Sequence, residues 1–259
     1  MLAPIELIGL VTAFFVIALL YSSVGFGGGS SYLAILSLAL ASFFLIRSSA
    51  LLCNLMVVSG SCILYYKKGH LLFKKFLPFI VTSIPLAFLG ASISLRENVF
   101  FIILGAVLIF SAIVLVVQTF QLKSKYTLKS YPSYMPYLIG GGIGLLSGLV
   151  GIGGGIFLAP ILNYLKWEKP IVIAALASFF ILTNSLSGVF GLLNTGTFEL
   201  PMPEILYLLL AVFLGGQIGV RISLGKFSGR TIRLMTAVLI GIAGVRVLLN
   251  NGLQIQFFL

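Results

Sequence analysis

Long, uninterrupted apolar runs restrict the fold of this chain more than any other feature. Leu7–Leu20 contains no charged residue, and comparable runs recur to the C-terminus. Of the 259 residues, 60% are apolar and only 8% are charged. A soluble domain carries about 25% charged residues, so this chain lacks the polar surface needed to face water. Disorder is excluded for the same reason. Outer-membrane barrel strands alternate apolar and polar residues, which these continuous runs do not. The expectation is an all-α polytopic membrane protein. A spanning helix takes about 20 residues, so ten would use about 200. No length remains for a catalytic head, a receptor ectodomain or a nucleotide-binding domain.

Sixteen Lys and Arg against five Asp and Glu give a net charge of +11. In a soluble protein this would suggest nucleic acid. In a membrane protein it reflects basic loops held on the cytoplasmic side, so no nucleic-acid partner is expected, and the excess does not by itself indicate an anionic substrate. Cys53 and Cys62 fall in one apolar stretch, about 13 Å apart on a helix, too far for a disulfide. His70 is the sole histidine and sits in the basic run KKGHLLFKK. No metal site and no cofactor are expected. MLAPIE at the start has no basic n-region, so the first apolar run reads as a transmembrane helix rather than a signal peptide.

The chain repeats itself. Val24–Leu36 reads VGFGGGSSYLAIL and Val150–Leu162 reads VGIGGGIFLAPIL, with the valine, four glycines and the closing Ile-Leu in register. Ser59-Gly60 recurs as Ser187-Gly188, Phe88-Leu89-Gly90 as Phe213-Leu214-Gly215, Arg96 as Arg221, and Ala106–Ile109 as Ala237–Ile240. Two membrane repeats follow, over 4–118 and 135–249, joined by a polar basic linker over 119–134. Each holds five apolar segments: about 4–26, 30–46, 48–66, 76–95 and 99–118, then about 135–152, 154–165, 170–194, 203–222 and 230–249.

Loop charge tests the topology. If all ten segments cross or return, one side collects thirteen basic residues, at 67, 68, 74, 75, 123, 125, 129, 166, 169, 221, 226, 230 and 233. The other side holds Arg47, Arg96 and Arg246. With each glycine-motif pair counted as a single span, the split is eight against eight. The positive-inside bias therefore favours ten segments with both termini outside. Five segments per repeat also means that the two repeats are inverted. The loop charges agree: KKGHLLFKK after the third segment corresponds to NTGTFELPMPE, free of Lys and Arg, in the second repeat.

The two glycine clusters, Gly25–Gly29 and Gly151–Gly155, carry the functional reading. Glycine weakens a helix by about 1 kcal/mol per residue, so four together break or re-enter it. Broken backbone at membrane depth is tolerated only against protein or a water-filled cavity. Short, glycine-interrupted segments at matching positions of two halves mark a transporter's binding site. A helix starting after such a break directs free N–H groups and its positive dipole end at the break, where a small anion can approach. The candidate substrate-binding residues are Gly27, Gly28, Gly29 and Ser30 in the first repeat and Gly153, Gly154 and Gly155 in the second. Asn54 and Asn184 join them, being too polar to face lipid, although inter-helix hydrogen bonding explains both equally well. Gly140–Gly144 reads instead as a close helix contact. GFGGGS has a serine where a dinucleotide fingerprint has its third glycine. Every charged residue falls near an expected segment end, so no membrane carboxylate relay is visible.

In these motifs the chain resembles the TauE/SafE family of sulfite exporters. The resemblance is carried by VGFGGGSSYLAIL at Val24–Leu36, VGIGGGIFLAPIL at Val150–Leu162 and FLGGQIGVRI at Phe213–Ile222. It spans nearly the whole chain, and the second copy, with Pro160, is nearer the family pattern than the first, which has Ala34 there. The resemblance implies export of sulfite, organosulfonates or related sulfur anions across the bacterial inner membrane. The residues alone favour alternating access by a small-anion transporter. A passive anion channel or facilitator is the alternative. An enzyme is not expected, since no paired membrane carboxylates, HExxH or GxSxG appear. The partners are a small anionic substrate and the bilayer, and a homo-oligomer is compatible with such a chain.

Overall fold

In hydrocarbon each backbone N–H and C=O must find its partner within its own segment, which in an apolar sequence without strand alternation means helix. A computed structural model, describing residues 4–23, 25–39, 42–93, 95–121, 128–129, 131–224 and 229–253, has no strand among these residues. The first five helices are α1 (Pro4–Ser22), α2 (Gly29–Ala39), α3 (Phe43–Lys67), α4 (Phe73–Ser92) and α5 (Glu97–Gln121). They are followed by α6 (Met135–Val150), α7 (Gly155–Leu165), α8 (Pro170–Asn194), α9 (Glu204–Leu224) and α10 (Gly229–Arg246). A short π-helix, Val247–Gly252, continues α10. α1, α3, α4, α5, α8 and α9 are long and apolar enough to cross a bilayer. Large apolar side chains stand exposed along them, among them Ile8, Val81, Ile113 and Leu210, which suits a lipid surround as apolar as leucine itself. The chain is a multi-pass helical membrane protein.

Most expected segments appear as helices within a few residues. The second does not. The apolar run over 30–46 was expected as one segment, but α2 ends at Ala39 and α3 begins at Phe43. Ser42 caps α3, its side chain accepting from the Leu45 N–H at 3.5 Å, and a serine in that position offsets an orphan donor of the first turn. Arg47, expected at a segment boundary, therefore lies inside α3. The middle of the expected linker (122–127 and 130) and the basic residue Lys226 lie outside the described residues.

Helix contacts show one regularity. Adding five to each helix number, and wrapping past ten, turns one contact into another. α4 on α6 becomes α9 on α1, α3 on α9 becomes α8 on α4, α2 on α3 becomes α7 on α8, and α5 on α7 becomes α10 on α2. The pairs α3–α8 and α5–α10 map onto themselves. α3 and α8 run antiparallel. The Glu199 N–H, just past the end of α8, donates to Ser48 Oγ near the start of α3 at 3.2 Å. At the opposite end, Lys75 in the first turn of α4 pairs with Glu168 just before α8.

Small residues allow the tightest contacts. Gly140, Gly144 and Gly148, spaced by four on α6, face the backbone of Phe79, Ser83 and Ala87 on α4. A Cβ on Gly144 would lie 2.6 Å from Ser83 Cα. The glycine cluster of α6 is thus a packing stripe, as its sequence suggested.

Candidate functional site

Each glycine cluster builds the same break. α1 closes on Gly25 at φ 89° and α6 on Gly151 at φ 78°, left-handed positions that favour glycine. The chain then turns back: Phe26 N–H donates to Tyr21 O at 2.8 Å and Ile152 N–H to Ser147 O at 3.3 Å, the six-to-one bond that closes a helix after a left-handed residue. Gly28 (φ 90°) and Gly154 (φ 81°) stand before the next helices. The Gly28 carbonyl accepts from Ser31 and Tyr32, both at 3.0 Å, and the Gly154 carbonyl from Phe157 and Leu158, at 3.1 and 3.2 Å. The N–H groups of Gly29, Ser30, Gly155 and Ile156 precede these first helical bonds and have no intrahelical carbonyl.

α2 and α7 have 11 residues each, about 16 Å of helix, roughly half of a 30 Å hydrocarbon core. Their N-terminal ends meet near mid-height of the bundle. Asn54, the twelfth of 25 residues in α3, lies between the two breaks. Its Nδ2 donates to the Ile152 carbonyl at 2.8 Å. A Cβ on Gly27 would lie 2.6 Å from Asn54 Oδ1, one on Gly153 would lie 3.3 Å from Nδ2, and one on Gly29 would collide with the amide. Oδ1 itself has no hydrogen-bond partner. Residues 25–34 and 150–160 are buried throughout.

The other expected site residues disperse around this centre. Gly28 faces the Tyr32 hydroxyl and Ile17. Ser30 Oγ lies 3.5 Å from the Tyr21 hydroxyl, which also holds Ser31, so Gly28 and Ser30 belong to a tyrosine cluster rather than to the Asn54 contact. Gly154 packs on the Phe180 ring, Ile143 and Ser147, while Gly155 packs on Ile181. Asn184 is 1% exposed, and neither amide atom has a partner. It sits three residues beyond Ile181, the side chain that touches Gly27, Gly153 and Gly155, but no glycine of either motif has Asn184 among its nearest neighbours. Ser185 beside Gly153 and Ser147 beside Gly154 likewise bury a hydroxyl without a partner. A buried polar group left unsatisfied costs about 1–3 kcal/mol, so several at one place mark a site able to bind something polar.

Sequence reasoning missed Arg47. It is 2% exposed and donates from Nη2 to the Gly148 carbonyl at the end of α6. Its aliphatic stem lies against Gly151. The signal was Ser42, a capping residue five positions earlier that places Arg47 within the helix.

At each break the C-terminal end of one helix, α1 or α6, faces the N-terminal end of the next, α2 or α7. The N-terminal ends of α2 and α7 each present roughly half a positive charge. Arg47 and Glu168 are the buried charged residues among those described, and Glu168 belongs to the loop between α7 and α8. There, the hydrogen bond from Lys75 holds the Glu168 carboxyl below the usual range. Among the described residues, no three His, Cys, Asp or Glu gather as a metal site would need. The arrangement suits an anion gripped by backbone N–H groups and small polar side chains.

Comparison with known proteins decides the family. The family model for the sulfite exporter TauE/SafE matches residues 10–247. The chain belongs to this family. It is 34% identical over 247 residues to a probable membrane transporter protein of Sinorhizobium fredii, covering 94% of this chain and 98% of that one. It is also 30% identical over 122 residues to a probable membrane transporter protein of Methanocaldococcus jannaschii, covering 44% of this chain and 45% of that one. No solved structure matches the chain significantly. As a TauE/SafE member the chain is a membrane transporter.

Proposed function

We propose that this transporter moves a small anion, such as sulfite, an organosulfonate or a related sulfur compound, by alternating access around the paired glycine breaks. The observation that carries this reading is the convergence of two half-length helices, by their N-terminal ends, on the buried Asn54. An oxyanion offers several acceptor oxygens to those N–H groups. Gly27, Gly29 and Gly153 line the contact, Gly28, Ser30, Gly154 and Gly155 shape the breaks, and Asn184 supplies free amide atoms nearby. The two membrane repeats, 4–118 and 135–249, act as inverted halves joined by the linker 119–134. Antiparallel α3 and α8 and the exchange of helix contacts between halves support this. The protein exports its substrate, has no catalytic role, and sits in the inner membrane of a bacterium, as a full-length bacterial relative would suit.

The passive channel remains the competing mechanism because no carboxylate is buried within the described helices. Counterflow in proteoliposomes separates the two. Labelled sulfite should enter faster when unlabelled sulfite is preloaded inside, and the rate should saturate. Flux without trans-stimulation would establish a channel. No flux of any sulfur anion would overturn the anion reading.

A further inference from the structure

Arg47 is more deeply buried than a membrane-boundary anchor needs to be. Its Nε is buried without a hydrogen-bond partner. Among the described residues no carboxylate lies within ion-pair distance of it. Its one bond runs to a neutral carbonyl, that of Gly148. A charge out of water without a counter-charge carries a penalty of several kcal/mol, and a guanidinium has no neutral form to adopt.

A purely structural explanation is available. α6 ends near Gly148, and a cation at a helix C-terminus is favourable. The fold itself tests that explanation. Gly151 of the second break corresponds to Gly25 of the first, and the side chain packed on Gly25 is Ala174 of α8. The first break therefore closes without any cation, helped by the Ser178 hydroxyl donating to the Gly25 carbonyl at 3.3 Å. The same substitution recurs two turns along. Asn54 meets Gly29 where Ile181 meets Gly155. Arg47 and Asn54 are seven residues apart on one face of α3, about 10 Å along its axis, while the matching positions of α8, Ala174 and Ile181, are apolar. The break does not need the arginine, so the arginine requires another reason.

We propose that Arg47 is the fixed counter-charge for the transported anion: a station beside the α6–α7 break, about two helical turns from Asn54, that pairs with one edge of a sulfonate-like or carboxylate-like oxyanion through its free Nε edge. This rests on the anion reading of the glycine breaks and assigns that reading its charged residue. Ser147, whose hydroxyl is buried and unpartnered, precedes the carbonyl that Arg47 holds and borders Gly154, so the station and the centre are continuous. On the topology set by loop charge, Arg47 lies toward the side poor in Lys and Arg, the exit side of an exporter.

The test uses purified full-length protein, with thermal stabilisation and proteoliposome flux as readouts. The ligands are sulfite, methanesulfonate and the uncharged dimethyl sulfone. Arg47→Gln keeps a donor for the Gly148 carbonyl but removes the charge, and it should weaken sulfite and methanesulfonate binding about 10–100-fold, the loss expected for one charge-assisted hydrogen bond. Arg47→Lys should keep binding within about tenfold of wild type. Wild-type protein should prefer methanesulfonate to dimethyl sulfone by at least tenfold, and that preference should shrink in Arg47→Gln or, should this variant fail to fold, in Arg47→Met, which keeps the aliphatic stem against Gly151. Unchanged anion binding in Arg47→Gln overturns the role of Arg47 while leaving the glycine-break reading intact, whereas a wild-type response to the sulfone equal to that to methanesulfonate overturns both. A wild-type protein that neither binds nor moves either anion overturns both.

Discussion

At the scale of single residues, the glycines of the two motifs do different work. Gly28 and Gly154 hold left-handed backbone, which a side chain strains by about 1–2 kcal/mol. Gly29 is the first residue of α2, and the atoms nearest a Cβ there would be those of the Asn54 amide. Gly29→Ala should therefore displace Asn54 while leaving the fold intact. Transport should fall at least tenfold, and loss of the Asn54–Ile152 hydrogen bond should lower stability by only about 1–3 kcal/mol. Gly154→Ala should lower both, because its Cβ would lie 2.8 Å from the Phe180 ring and 3.1 Å from Ile143. The glycine clusters could be read in the sequence because two copies in register are not a coincidence of composition. The convergence of Gly27, Gly29 and Gly153 on Asn54 could not, because it depends on how α3 packs across both breaks. Asn184 shows the converse: its burial was legible from polarity, whereas its lack of any partner is a property of packing alone.

At the scale of helices, the legible and the hidden divide along the same line. Ten apolar segments were countable from charge and glycine. The break between α2 and α3 was not, since LAILSLALASFFLI over 33–46 carries no glycine, proline or charge, and the capping Ser42 alone marks it. The consequence was a boundary reading for Arg47, a residue that α3 buries. The α4–α6 contact has its own test. Gly144→Leu would press a side chain onto the Ser83 backbone, which cannot rotate away. Overpacking of this kind costs about 1–3 kcal/mol, so the variant should melt at clearly lower temperature in detergent. Gly142→Leu, where nothing lies within 4 Å, should not.

At the scale of the whole molecule, two features await measurement. The first is orientation. Cysteines introduced at Lys68 and Thr195 should react with a membrane-impermeant maleimide from opposite sides, Lys68 from the cytoplasm. Labelling of both from one side would contradict the ten-segment topology. The second is the tie between the start of α4 and the α7–α8 loop through Lys75 and Glu168. The carboxyl has a lowered pKa in the folded protein, so its stabilising contribution is complete above the unfolded value of about 4.3 and is lost as pH falls through the folded value. Glu168→Gln should accordingly be less stable than wild type at pH 7, and the gap should close only under strongly acidic conditions. A gap that closes between pH 7 and pH 6 would show a different group at work.

The central claim is that the two glycine breaks form one anion site around Asn54. Saturable sulfite flux into proteoliposomes, compared between wild type and Gly29→Ala at equal reconstitution, tests it most directly. Robust flux is expected in wild type, with at least a tenfold loss in a Gly29→Ala protein that still folds and melts cooperatively. Wild-type flux in Gly29→Ala would contradict the account and move the substrate path away from the breaks.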